Sequence, residues 1–167
     1  AMGFRALEAN TTGINNTAIG YAALQVNTDN SNTAVGNLVM DANTTGGSNT
    51  AIGDRALSAN TTGDANTAIG MYSLNSNTTA DYNTGLGYAS LVSCTTGYTN
   101  TAVGYNASYS LTTGYANTVM GYQAMNNGTT YQRCTAVGYQ ALYNNTTGHN
   151  NTAFGNQALI ANTTAES

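Results

Sequence analysis

One motif returns along this chain at an almost fixed interval, and that interval limits what the chain can fold into. Asn16-Thr17-Ala18-Ile19-Gly20 is followed by Asn32-Thr33-Ala34-Val35-Gly36, Asn49-Thr50-Ala51-Ile52-Gly53 and Asn66-Thr67-Ala68-Ile69-Gly70. The glycine recurs at Gly87, Gly104, Gly121, Gly138 and Gly155, and Gly3 opens the series. Its spacing is seventeen residues except for one sixteen-residue step, from Gly20 to Gly36, where the Asn27-Thr28-Asp29-Asn30 turn is a residue short. A second motif precedes the glycine by about ten residues, as in Asn10-Thr11-Thr12-Gly13, Asn43-Thr44-Thr45-Gly46, Asn60-Thr61-Thr62-Gly63 and Asn145-Thr146-Thr147-Gly148. Between the two lies an Ala-Leu pair, seen at Ala23-Leu24, Ala56-Leu57, Ala141-Leu142 and Ala158-Leu159.

A seventeen-residue unit is too short for a helix pair and lacks the leucine pattern of a leucine-rich repeat. It has room for short strands and turns. The Asn-Thr-Ala-Ile-Gly run places Thr and Ile on one face and Asn and Ala on the other, the period of two expected of a strand, and its β-branched residues favour one. The glycines and the Asn-Thr-Thr-Gly runs supply bends, because Gly and Asn tolerate positive φ. Each unit is then one coil, and a coil must stack on its neighbours because alone it cannot bury its apolar face or satisfy its strand edges. The expected fold is all-β, a parallel β-solenoid or β-roll of about ten seventeen-residue coils forming one repeat-built domain over residues 1–167. At about 4.8 Å per coil, such a rod is on the order of 48 Å long.

Stacking brings equivalent residues into columns. Asn16, Asn32, Asn49, Asn66, Asn83, Asn100, Asn117 and Asn151 form one, in which each amide can bond to neighbouring coils. Cys134 replaces this Asn in one coil, and Cys94 replaces the turn Asn in another. Neither terminus resembles the capping repeat of a solenoid, so the sequence reads as a fragment of a longer fibre or as a rod covered by other copies.

Composition supports a narrow, repetitive core. Charged residues are only 6% of the chain, Pro and Trp are absent, and alanine is the largest part of the 41% hydrophobic fraction, with Ile, Val and Leu mostly as single residues. The net charge of −4, with Arg5, Arg55 and Arg133 the sole basic side chains besides His149, offers no basic stripe for nucleic acid or an anionic membrane. No apolar run approaches the roughly 18 residues of a membrane span, so no direct membrane insertion is expected.

Catalysis needs convergent ionisable groups, and none is apparent. His149 lies alone in a turn and reads as a solvated substitution. Asp29, Asp41, Asp54, Asp64 and Asp81 read as scattered over different repeat positions, which leaves no acidic column for a metal ion. The expectation is therefore no enzyme, no cofactor and no metal. Cys94 and Cys134 are more than two coils apart, about 10 Å or more along the rod, too far for a disulfide within the chain. Asn-x-Thr sequons at Asn10, Asn43, Asn60, Asn145 and Asn162 follow from the repeat itself and are poor evidence for glycosylation. Tyr21, Tyr88, Tyr105, Tyr122 and Tyr139 share one column, either an exposed stripe for contacts with host glycans or proteins, or a cover over a corner of the coil.

The Asn-Thr-Ala-Ile-Gly-Tyr unit resembles the repeats of bacterial and phage tail-fibre-like surface proteins and, more distantly, the heads of trimeric autotransporter adhesins of the YadA type. The resemblance covers essentially the whole chain. It implies a left-handed roll in each chain and three chains around a common axis, on an extracellular fibre of a cell surface or virion. It also implies that Ile19, Val35, Ile52, Ile69, Val103 and Val137, with their Thr partners, line a buried face, and that Ala18, Ala34, Ala51, Ala68, Ala102 and Ala136 line the other. The chain departs from the adhesin-head pattern in its Thr residues, its longer period and the added Ala-Leu segment.

The leading functional expectation is a structural and adhesive fibre segment. Two others compete. The unbroken column Thr17, Thr33, Thr50, Thr67, Thr84, Thr101, Thr118, Thr135 and Thr152 suits an ice-binding solenoid, although if Ile19 is buried then Thr17, on the same face, is buried too. Open coil edges suit a filament that grows by end-to-end stacking of copies.

Overall fold

The computed structural model describes residues 1–166; Ser167, the last residue of the expected domain, lies outside the described residues. It is a parallel β-solenoid. Nine three-residue strands, β1 (Thr17–Ile19), β2 (Thr33–Val35), β3 (Thr50–Ile52), β4 (Thr67–Ile69), β5 (Thr84–Leu86), β6 (Thr101–Val103), β7 (Thr118–Met120), β8 (Thr135–Val137) and β9 (Thr152–Phe154), form one sheet in chain order. Every neighbouring pair is parallel and in repeat register, with Thr on Thr and the following residues likewise, as in Thr50↔Thr67, Ala51↔Ala68 and Ile52↔Ile69. The about ten coils expected from the ten glycines thus resolve into nine strands and eight strand pairings; around Gly3 the chain adds only a bridge from Met2 to Ile19.

The strand face opposes the expected parity. Within each strand the middle residue is buried and the two flanking residues are turned outward, so Ala18, Ala34, Ala51, Ala68, Ala102 and Ala136 are in the core while Ile19 is 42% exposed. Ile52 is exposed as well, and Val35, Ile69, Val103 and Val137 are half-exposed. The reason is the thinness of the coil. Opposite the strand, the Ala-Leu segment sends Leu24, Met40, Leu57, Leu74, Leu91, Met125 and Leu142 inward, and all are fully buried. Against those long side chains the middle strand position takes a small residue, alanine in seven strands and Gly85 in β5, with Val119 of β7 the largest.

The strand ends at a glycine because the next coil leaves no alternative. Gly53 has φ 133°, and a Cβ there would stand 2.7 Å from the carbonyl of Gly70. Beyond this bend the backbone does something the repeat pattern does not announce: residues two apart, such as Arg55 and Leu57 at φ 52° and 54°, adopt the left-handed region, and so does Ala65 before the next strand. Side chains in that region cost roughly 1–2 kcal/mol each. The stack offsets the cost, because the left-handed residues bond to adjacent coils: Arg55 N–H donates to Asn37 O, and Leu57 N–H donates forward to Ser73 O.

Inside the coil, the Asn column acts as a clamp. Asn49 Oδ1 accepts the backbone N–H of Asn66 at 2.8 Å, and Asn49 Nδ2 donates to Gly63 O at 2.8 Å. Asn32, Asn66, Asn83, Asn100 and Asn117 repeat this arrangement, each bonding the backbone of the coil that follows. Asn16 does the same through Asn32 N–H and Asp29 O, with Asp29 replacing the missing glycine of the short turn. Asn151 Nδ2 donates to Ala165 O. Full burial of two backbone partners and an amide is tolerable only because each has a partner.

Candidate binding surface

Three columns carry the outward chemistry. On the sheet, Thr and an apolar position flank a buried small residue, so every strand shows a hydroxyl and an apolar side chain. Thr17, Thr118 and Thr152 are exposed and Thr33, Thr50, Thr67, Thr84, Thr101 and Thr135 half-exposed. Their hydroxyls make no hydrogen bond among the described residues. The turn threonines differ: Thr28, Thr44, Thr61 and Thr112 each donate the hydroxyl to a carbonyl of the next coil. The apolar column beside the strand threonines runs from Met2 through Ile19, Ile52, Leu86 and Met120 to Phe154, which is 78% exposed.

The third column is aromatic and exposed. Tyr88, Tyr105, Tyr122 and Tyr139 stack with centroids 5.2, 5.1 and 5.4 Å apart and planes within 10° of parallel, each 43–48% exposed. Tyr21 stacks on Phe4 at 5.8 Å and is separated from the others by Asn37, Asp54 and Met71. A shorter stack, Tyr98 on Tyr115 at 4.9 Å, occupies the turn before the strand. Below that pair the same column holds Asp64 and Asp81, which corrects the reading of the acids as scattered. Their carboxylates are one coil apart, and each accepts a backbone N–H from the preceding coil: Asp64 from Gly47 and Asp81 from Asp64, both at 2.7 Å. Each bond is charge-assisted and partly offsets the repulsion between the two carboxylates.

A groove of about 320 Å³ lined by Leu38, Asp41, Arg55, Ser58 and Asn75 opens on the turn side. Loss of water raises the Asp41 pKa above its ordinary value, with its own backbone N–H and Arg55 opposing the shift. His149 is half-buried in its turn, and its Nδ1 is buried without a hydrogen-bond partner. No group of three or more His, Cys, Asp or Glu side chains is placed to hold a metal ion among the described residues. No helix among them is long and apolar enough to cross a membrane.

Both cysteines are free and buried. Burial pushes the Cys94 thiol up to about 12, partly opposed by the backbone of Gly97, and raises Cys134 for the same reason. Each imitates the Asn it replaces: Cys94 Sγ donates to Gly97 O and Cys134 Sγ to Gly148 O, both at 3.4 Å. Residues 128–131 hold a substitution that the repeat pattern left unremarked. Gly128 occupies the turn Asn position and Tyr131 the turn Gly position, and the Tyr131 ring folds into the space beside Gly128, fully buried, with its hydroxyl donating to Met125 O at 3.1 Å. The inverted order of Gly and a bulky residue, against Asn-Thr-Thr-Gly elsewhere, was the available signal.

No family model, curated protein or solved structure matches this chain.

Proposed function

We propose that this chain is a non-enzymatic structural and adhesive segment of an extracellular fibre, a bacterial surface adhesin or phage tail fibre. In this reading it works as a left-handed roll in a homotrimer. The carrying observation is the apolar column on the sheet, from Met2 to Phe154, exposed or half-exposed along the rod. An uninterrupted apolar stripe on a surface with so few charges favours association, and copies sharing an axis bury it without distorting the coil. The remaining columns stay available for weak, repeated contacts with host glycans or proteins, which gain strength by number. Mass measurement in solution tests this: a discrete species of three chains supports it, a ladder of sizes supports end-to-end stacking of copies, and a monomer at high concentration removes the shared axis.

The outward threonines favour a second reading, an ice-binding surface. The objection from parity disappears, because Thr and Ile both face out and the strand hydroxyls are unbonded. Thermal hysteresis and ice shaping by the purified protein decide it; activity no greater than that of an unrelated control protein removes this reading.

A further inference from the structure

The tyrosine stack differs from a set of isolated aromatic side chains in what it can grip. Parallel rings 5.1–5.4 Å apart at their centroids are offset, so they overlap like shingles and each shows an oblique part of one face and its hydroxyl edge. Such a strip suits a ligand that repeats at the same interval. On one side, beyond the bends at Gly87, Gly104, Gly121 and Gly138, the strip borders Leu86, Val103, Met120 and Val137, which belong to the column that the assembly covers and so mark the edge of the strip. On the other side, beside Tyr122 and Tyr139, runs an amide ladder in which Gln140 Nε2 donates to Gln123 Oε1 at 3.1 Å and Gln157 Nε2 to Gln140 Oε1 at 3.2 Å, while Ala89 and Asn106 hold the same positions beside Tyr88 and Tyr105. Each of those bonds uses one N–H of the amide and leaves the second for a ligand.

No charged residue belongs to these three columns between residues 86 and 140, and the chain as a whole is negative. That chemistry suits a neutral, hydroxyl-rich polymer and disfavours an anionic one. An extended, equatorially linked hexose chain advances by nearly the same length per sugar as the ring stack advances per coil, and its axial C–H bonds and equatorial hydroxyls match aromatic faces and amides respectively.

We propose that Tyr88, Tyr105, Tyr122 and Tyr139 form a binding strip for a neutral β-1,4-linked polysaccharide lying along the rod, one sugar to each coil. The proposal names the ligand class for the adhesive role above and rests on that reading. Sedimentation with microcrystalline cellulose, and titration with cellohexaose, test it against amylose, whose α-1,4 linkage curls the chain out of register. Depletion by cellulose and saturable binding of cellohexaose are expected, with amylose ineffective. Replacing Tyr105→Ser and Tyr122→Ser together should weaken cellohexaose binding roughly tenfold, while Tyr21→Ser, outside the strip, should leave it unchanged. Equal binding to amylose, no binding to cellohexaose, or indifference to the paired substitution overturns the strip. Mass measurement on the same samples separates the two claims: trimers that ignore cellohexaose sink the strip alone, and monomers that bind it sink the assembly alone.

Discussion

From Asn27 to Asn77 the turn column is a continuous amide ladder, whereas from Cys94 to Gly128 the same column holds a thiol, a leucine and no side chain. In the first stretch Asn43 donates to Asn27 at 2.7 Å, Asn60 to Asn43 at 2.6 Å and Asn77 to Asn60 at 3.0 Å. In the second, Cys94 and Leu111 are fully buried and the Tyr131 ring fills the space beside Gly128. The strands alongside keep their register through both. A polar ladder and an apolar plug therefore serve the same coil, provided the volume is filled and every buried backbone group still finds a partner. The strand-side Asn column shows no comparable freedom: its one substitution, Cys134, keeps a donor to Gly148 O.

This contrast can be broken in several ways. Tyr131→Ala should cost about 3–5 kcal/mol in urea unfolding, the usual penalty for emptying a buried aromatic site. The paired change Gly128→Asn with Tyr131→Gly, which restores the order of the other turns, should recover most of that; a pair no more stable than Tyr131→Gly alone would show that the exchange is not the reason for the plug. In the unyielding column, Asn49→Ala strands the Asn66 N–H and the Gly63 carbonyl, a loss of about 2–4 kcal/mol. Asn49→Cys, copying Cys134, should lose less in the same unfolding experiment.

The buried thiol offers a pH test. Because the folded pKa of Cys94, about 12, lies above its ordinary 9.0, the unfolded chain releases the proton first. The stabilisation is complete below pH 9 and is lost as pH rises towards 12. At pH 10 the loss is about 1 kcal/mol. Cys94→Ala should flatten this part of the stability–pH curve, and an unchanged slope would remove Cys94 as its source. The smallest effect expected is a gain. Asn77 Oδ1 is buried without a partner because the next coil offers a thiol where an amide would stand. Cys94→Asn should therefore raise stability by about 1 kcal/mol, read as a shift in the urea midpoint.

The contrast also explains what could be read from the sequence. The period, the parallel stack and the columns were legible because equal spacing forces equal residues over one another, as Gly53 over Gly70 and Asn49 over Asn66. The inward face was not, because size is a poor guide when the opposite wall is one residue away: Ile19 yields to Ala18 on account of Leu24, which a single repeat does not reveal. The same local fitting explains Gly85, whose missing Cβ makes room for the Ser73 and Ser90 hydroxyls. The left-handed conformations of Arg55 and Leu57 were hidden as well, since nothing in their side chains demands positive φ. Of the outward surface, the tyrosine column was visible as a spacing, but its stacking and exposure needed the coil path.

Each strand-side asparagine from Asn32 to Asn117 accepts the N–H of its successor at Oδ1 and donates Nδ2 to a carbonyl of the following turn, while the Nδ2 of Asn66, Asn100 and Asn117 also donates back to the preceding Asn Oδ1. A cross-section taken anywhere along this stretch therefore has two unlike sides: amides with bonds to offer on one, main-chain N–H and C=O groups waiting to receive them on the other. Such a stack is polar in the sense that a screw thread is polar. The end of the stack nearer the C-terminus therefore offers side-chain amides to an added turn, and the opposite end offers main-chain groups, so the two faces of the rod are chemically different surfaces for stacking.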